Sequence, residues 1–483
     1  MSTVLEGREA NTLFLECFML LLRKQAYWLI NTKHYQPEIE ATLQSLWTFR
    51  VHMLAELVDD KSLSSSQTLF SSQATATSGD ESDTVDTRRA KLRVREKLPK
   101  LIETAVLCYY TLLLHRLPVL SSDIRSWLSS PAFPYVNAMT FLPAEMTSPL
   151  GPDIRRTLEA SREPPHTLER FHRTTMIIAS AYQSTFSMIM PPLNTPLLLW
   201  KIIEALLLPI DVFQGAQRLG KLLDMTFDFS VANQKRVRIS EHPEVQLMCT
   251  IIITTKLFYP FDNIKRYPSS ANQPSALKLD WNEWEQSFLA SKAENPTPEQ
   301  RKASNTVHLN TTEDDVPSMT GQQIDDYLDW FERTGWLNED DAKQGREADY
   351  KKALYAMFPL EKAPQKDVVI NTEDSKLEHL KAVQASLHPT PFVEEDHSVD
   401  NKRTLRPGSS YERYRDVKKM PHLAKVFFEA AADLVSLSLD DMVRAVLQVE
   451  MKLGSEVDRQ RRAEREERSA KSQKLSQETG SGN

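Results

Sequence analysis

Glycine is scarce in this chain, 12 residues of 483, while proline reaches 27. That balance disfavours a turn-rich sheet protein and fits long helices punctuated by proline. Cysteine is scarcer still: Cys17, Cys108 and Cys249 are odd in number, far apart and set among apolar neighbours such as Phe18, Leu107 and Met248. They read as three buried, reduced thiols of an intracellular protein and not as a disulfide framework or a metal site. An excess of positive charge is missing too. Lys plus Arg number 59 against 66 for Asp plus Glu, a formal charge of −7, so any nucleic-acid role must rest on local basic patches. No apolar run reaches the roughly 20 residues that a membrane span needs. Leu197 to Leu208 contains Lys201 and Glu204 and stops at Pro209, and Leu13 to Leu22 holds Glu16 and has no basic region before it, the wrong polarity for a secretory leader.

Recognisable reaction chemistry is equally short. There is no glycine-rich phosphate loop, no CxxC or HExxH ligand pair and no GxSxG nucleophile turn. The eleven histidines are scattered, and His166 and His172, six residues apart, fall on different faces of a helix, which argues against a metal site. An enzyme is the least supported class. A pocket with converging ionisable groups would revive it.

What is present is helical pattern in three regions. Glu9 to Asn31 reads as one helix apolar on most faces, and a second follows Pro37 with Leu43, Leu46, Trp47 and Leu54. Asp59 to Thr87 is rich in Ser and Thr and nearly free of large apolar residues, which predicts a disordered insertion. Helical pattern resumes from Leu98 to His115, then Ser121 or Ser122 caps a short helix through Ile124, Trp127 and Leu128. A second block after Pro164-Pro165 predicts helices at Leu168 to Met188, Pro196 to Leu208, Val212 to Asp224 and Val245 to Phe258, with a further segment around Trp281 and Trp284. After a polar linker, an amphipathic segment runs from Gln322 to Trp336, and helices close the chain at Leu423 to Leu434 and Leu439 to Leu453, followed by a charged, frayed end. The expectation is an all-α protein: a first bundle over 9–150 with its insertion at 59–87, a second over 160–291, a linker at 292–317, a C-terminal region over 318–457 and a charged tail over 458–483. Trp28, Trp47, Trp127 and Trp200 are expected in the core.

Basic patches carry the remaining signal. Arg88, Arg89, Lys91, Arg93, Arg95, Lys97 and Lys100 face the single acid Glu96. A solvated helix entry is the plain reading, with a phosphate contact or nuclear import signal as the sharper one. Lys235, Arg236 and Arg238 form a smaller patch, and Lys265 and Arg266 follow the next helix. Taken singly each reads as ordinary surface, but loops at one end of a helical domain would bring them together on a DNA backbone.

Several segments resemble, in order, the transcription factor IIB-like subunits of the RNA polymerase I core factor of fungi, whose metazoan relative sits in the promoter selectivity complex. They are Leu21 to Ile30, Leu46-Trp47, Leu117-Pro118-Val119 with Asp123-Ile124 and Trp127, and Pro134-Tyr135 in the first block. The second carries Pro191 to Asn194, Leu198 to Trp200, Pro243 to Met248, Thr255 to Leu257 and Asp280-Trp281, and the third Tyr327 to Trp330 and Arg406-Pro407-Gly408 with Tyr411 and Tyr414. The resemblance spans most of residues 10 to 450. It implies two tandem cyclin-like bundles, a nuclear and nucleolar location, and a non-enzymatic initiation factor. Its implied partners are ribosomal-DNA promoter, the other core-factor subunits, RNA polymerase I and TATA-binding protein, with no membrane. DNA contacts are then expected at Lys235, Arg236, Arg238, Lys265 and Arg266, and partner docking on aromatic surface of the C-terminal region. Such proteins usually begin with a zinc ribbon, but this chain has no ligand cysteines and reaches its first helix within a few residues of Met1, so no zinc is carried over. The competing class is a helical adaptor that binds protein only, although no repeat of fixed period is visible.

Overall fold

The computed structural model describes residues 4–5, 7–54, 98–130, 132–136, 138–158, 168–229, 238–270, 272–294, 324, 372–393 and 405–480. The expected insertion at 59–87, most of the seven-base cluster and the segment from Gln322 to Trp336 therefore lie outside the described residues, apart from Lys100 and Ile324. Residues 1–286 with 380–483 make one compact unit and residues 287–379 a second. The fold class is all-α. Its first helices are α1 (Gly7–Lys33), α2 (Glu38–Met53), α3 (Ile102–Leu114), α4 (Ser121–Ser129), and the short α5 (Ala144–Thr147) and α6 (Pro152–Leu158). The second block holds α7 (Glu169–Phe186), α8 (Thr195–Ala205), α9 (Asp211–Leu222), α10 (Pro243–Phe258) and α11 (Trp281–Glu294). Then come α12 (Thr372–Ala385), α13 (His422–Leu434) and α14 (Leu439–Gly480).

Two helices organise the large unit. In α3 every residue from Glu103 to Leu113 is buried, and in α10 nearly every residue from Pro243 to Lys256. A helix apolar all round must be surrounded by others, so α3 and α10 are the central rods of the two bundles. Around α3, α1 and α2 form an antiparallel pair in which Phe18 stacks on Trp47 with ring centroids 5.1 Å apart. Gln25, polar but fully buried, donates to Thr104 Oγ1 at 3.0 Å and the Pro134 carbonyl at 2.8 Å, which binds α1, α3 and the 130–136 turn together. Trp28 packs edge-on against Phe133 at 5.0 Å. Around α10, Gly215 of α9 lies against Thr254 and Phe258 so closely that a methyl group there would come within 2.5 Å of Thr254 Cγ2.

With little glycine available, several helices end on ordinary residues in the left-handed conformation: Arg116, Ser187, Leu207 and Asp224 all have φ between 48° and 60°. Each such residue costs roughly 1–2 kcal/mol, offset by the burial those turns allow. Trp47 and Trp127 are core residues as expected, but Trp200 is 38 % exposed on the outer face of α8. Periodicity places a tryptophan on a helix, not on its buried side. Ser121 departs from its expected role as well. Asp123 Oδ2 accepts the Leu120 amide at 2.8 Å and does the capping, which frees the Ser121 hydroxyl for another partner.

The C-terminal segment packs back onto the second bundle. Phe427 of α13 joins Phe261, Trp281 and Trp284 in one aromatic cluster, with centroids 5.6, 5.6 and 5.8 Å away. A two-residue antiparallel pairing of Leu277–Lys278 with His388–Pro389 ties residues 388–393 to the loop after α10. The charged end, read as a solvated helix end, is helical: α14 continues to Gly480.

Candidate nucleic-acid interface

The two bundles are welded before any ligand is considered. Glu244, in the first turn of α10 and fully buried, accepts hydrogen bonds from Tyr109 Oη of α3 at 2.6 Å, the Ser121 amide at 3.0 Å and the Ser121 hydroxyl at 2.6 Å. Burial raises its carboxyl above the usual range, and the three donors partly offset that. Lys201 of α8 reaches Asp123 Oδ2 at 2.6 Å and the Pro118 carbonyl at 3.0 Å, and Tyr182 of α7 donates to the Leu46 carbonyl at 2.8 Å. The two bundles are therefore joined at three places by hydrogen bonds.

The expected DNA-contacting residues divide. Lys235 and Arg236 lie outside the described residues. Arg238 and Lys265 are exposed. Arg266 is committed within the fold: its guanidinium grips Asp262 through Nη1–Oδ1 at 2.6 Å and Nη2–Oδ2 at 2.7 Å, and Nε donates to the Ser409 carbonyl at 2.8 Å. That paired contact holds the Asp262 carboxyl below the usual carboxylate range. The loops do not share one end of the domain. Arg238 precedes α10 and Lys265 follows it, so a helix of about 24 Å separates the points from which they emerge. Joining them instead is the C-terminal segment: the Ser240 hydroxyl donates to Gln448 of α14 at 2.5 Å, while Arg266 holds Ser409.

That segment is fastened by groups that sequence reasoning missed. Lys256, in the last turn of α10, forms a buried ion pair with Glu450 of α14 at 2.6 Å, and its ammonium lies 4.5 and 4.4 Å from the ring centroids of Tyr411 and Tyr414. Tyr411 Oη also donates to Glu450, at 2.6 Å. Burial lowers the Lys256 pKa, against the pull of Glu450. Tyr414 and Phe428 pack edge-on at 6.0 Å. Tyr411 and Tyr414, two aromatics of the C-terminal region, thus face the second bundle. A second unnoticed pair is His172 and His242, stacked edge-on with centroids 4.4 Å apart and both fully buried. His172 Nε2 meets the Val435 carbonyl at 2.8 Å and the Leu168 amide donates to Ser436, so this pair seats the turn between α13 and α14 on α7. Burial pushes His172 down to about 4 and His242 well below the ordinary range. His166, once weighed as the partner of His172, lies outside the described residues.

The described residues do not fit a zinc site. Cys17, Cys108 and Cys249 are buried on α1, α3 and α10, with burial pushing the Cys17 thiol up to about 11 and Cys108 to about 12. Among the described residues no group of three or more His, Cys, Asp or Glu is arranged to hold a metal. Nor is any described helix long and apolar enough to cross a membrane.

Two family profiles match this architecture: the N-terminal cyclin domain of Rrn7/TAF1B over residues 18–144 and its C-terminal cyclin domain over residues 164–335. Together they cover more than half of the chain. The chain belongs to the Rrn7/TAF1B family. Among Rrn7 proteins, the RNA polymerase I-specific transcription initiation factor rrn7 of Schizosaccharomyces pombe is 22% identical over 306 residues, 58% of this chain and 56% of that protein. The chain thus spans little more than half the length of that relative. RRN7 of Saccharomyces cerevisiae, described in the same words, is 20% identical over 414 residues, covering 82% of this chain and 71% of the relative. The same overall fold is found in a crystal structure of the S. cerevisiae core factor, with a TM-score of 0.50 and 15% identity over 94% of this chain and all of that one.

Proposed function

We propose that this protein is a general initiation factor of RNA polymerase I, a core-factor subunit that binds the ribosomal-DNA core promoter and helps to recruit the polymerase. The role is one of binding, not catalysis, and its place is the nucleus and nucleolus. The observation that carries the reading is the rigid tandem cyclin body, welded at Glu244, with exposed bases Arg238 and Lys265 on loops at the two ends of α10. Charge fixed at separate points along a rigid surface suits a phosphate backbone, which demands position before base identity. The names of the relatives point the same way. Promoter choice would then rest largely on DNA shape and bendability. Partners in this reading are the other core-factor subunits, polymerase I and TATA-binding protein.

The test is co-purification of tagged protein from nuclear extract, followed by salt-titrated binding to a ribosomal promoter fragment. Recovery of a small complex whose affinity falls steeply with salt supports the reading. Recovery of partners with no salt-dependent DNA affinity replaces it with a protein-only adaptor. Lys265→Ala lowers the salt slope by about one, as loss of a phosphate contact should.

A further inference from the structure

The chain as a whole is acidic, yet from Tyr411 to Lys425 it carries Arg413, Arg415, Lys418, Lys419 and Lys425 against only Glu412 and Asp416. Tyr414 and Met420 are buried and Tyr411 is half-buried, while Arg413, Arg415, Lys418 and Lys419 are exposed. The apolar residues act as feet and the bases as a crest. The segment is firmly placed: Tyr411 Oη on Glu450, the Lys256 ammonium on the Glu412 carbonyl at 2.9 Å, and a 3-10 turn over Val417–Lys419 resting on α14. Arg413 crosses α14 at Gly454, where an added methyl group would lie 2.7 Å from its Nη2.

These charges are little neutralised. Among the described residues the one ion pair on the four crest bases is Lys419 with Asp416 at 3.9 Å, both largely exposed, and a pair of that kind contributes almost nothing. The crest also continues from the first basic loop, because Arg266 holds Ser409 and the Tyr267 amide donates to the Leu405 carbonyl at 2.9 Å, just upstream of the crest.

We propose that Arg413, Arg415, Lys418 and Lys419 form a second phosphate-binding ridge for duplex DNA, extending the track that begins at Lys265. The proposal rests on the DNA-binding reading above. Bases held along a crest that continues from an exposed lysine loop suit a regularly charged polymer, whose phosphates ask for positive charge at spaced points.

The experiment measures binding of the full chain, with its co-purified subunits, to a duplex ribosomal promoter fragment across a salt series. It compares the unsubstituted protein, the quadruple variant Arg413→Gln, Arg415→Gln, Lys418→Gln, Lys419→Gln, and the pair Lys418→Gln, Lys419→Gln, whose side chains are exposed. Each lost contact removes roughly 0.9 from the slope of log affinity against log salt, so the quadruple variant should fall by about three to four and the pair by nearly two, with melting temperature unchanged for the pair. A steep slope in the unsubstituted protein that both variants retain overturns the ridge and leaves the DNA-binding reading standing. A flat slope in the unsubstituted protein overturns both. Variants that keep the slope but lose a co-purifying subunit reassign the ridge to protein docking.

Discussion

Tyr109 and Glu244 stand 135 residues apart in sequence, and the phenol of one donates to the carboxyl of the other at 2.6 Å in a fully buried contact between the two cyclin bundles. Because Ser121 supplies two more donors to the same carboxyl, one acidic side chain of the second bundle gathers three donors of the first.

Removing it should be severe. Glu244→Ala leaves the Tyr109 and Ser121 hydroxyls and the Ser121 amide without acceptors, at about 1–3 kcal/mol for each buried group left unsatisfied. Glu244→Gln keeps an acceptor and should lose less. Chemical denaturation of both variants checks the order, and equal losses would contradict the role given to the carboxyl oxygens.

The Lys256–Glu450 pair makes a different prediction. Lys256→Met strands a buried carboxylate one oxygen of which already lacks a partner, and should cost about 3–5 kcal/mol. Adding Glu450→Leu removes the stranded charge and should recover much of that loss. A double-mutant cycle by denaturant titration measures the recovery, and simple additivity of the two losses would refute the coupling.

Gly215→Ala reverses the usual sign of a helix substitution. Alanine in place of glycine ordinarily stabilises a helix interior by about 1 kcal/mol. Here the new methyl would fall 2.5 Å from Thr254 Cγ2 and 2.6 Å from Phe258 Cε2, and overpacking of that kind costs about 1–3 kcal/mol. A lowered melting temperature is expected.

Acid should loosen the seat of the C-terminal helices. His172 is held at about 4 in the folded protein against 6.5 in the unfolded chain, so unfolding takes up protons in between. Its contribution is complete above pH 6.5 and is lost as pH falls towards 4, by about 3 kcal/mol in all. His242, depressed by burial and by His172, acts in the same direction. The raised carboxyl of Glu244 opposes them from the usual carboxylate range upwards, since its protonated form favours the fold. Melting temperatures from pH 7 to 4 should therefore fall less in the variant His172→Gln, His242→Phe than in the unsubstituted protein.

The helices were legible because their boundaries are written locally. Pro37 and Pro243 stand at or just before helix starts, and the apolar runs of α3 and α10 declare themselves central. What links the helices was not legible. Lys256 and Glu450 are 194 residues apart and no local rule joins them. A signal existed nonetheless: a helix apolar on every face that carries Glu244 in its first turn and Lys256 in its last must bury both charges, and buried charges need partners. Arg266 carried no comparable signal: Asp262 stands four residues before it, but both lie in the irregular loop after α10, where helical spacing does not apply. The opposite placement of the Arg238 and Lys265 loops also follows from α10 being a single unbroken helix between them.

The way α14 closes over α10 has a consequence for the order in which the protein can be made. Strands of chain leave the ribosome from the N-terminus at about 5–20 residues per second. About 190 residues separate Lys256 from its partner Glu450, so roughly 10–40 s pass during synthesis in which one flank of the apolar rod α10 has nothing to lie against. The first bundle can mature during that interval, while the second waits half-built for its final wall, and a nascent chain in that state is a natural client for chaperones.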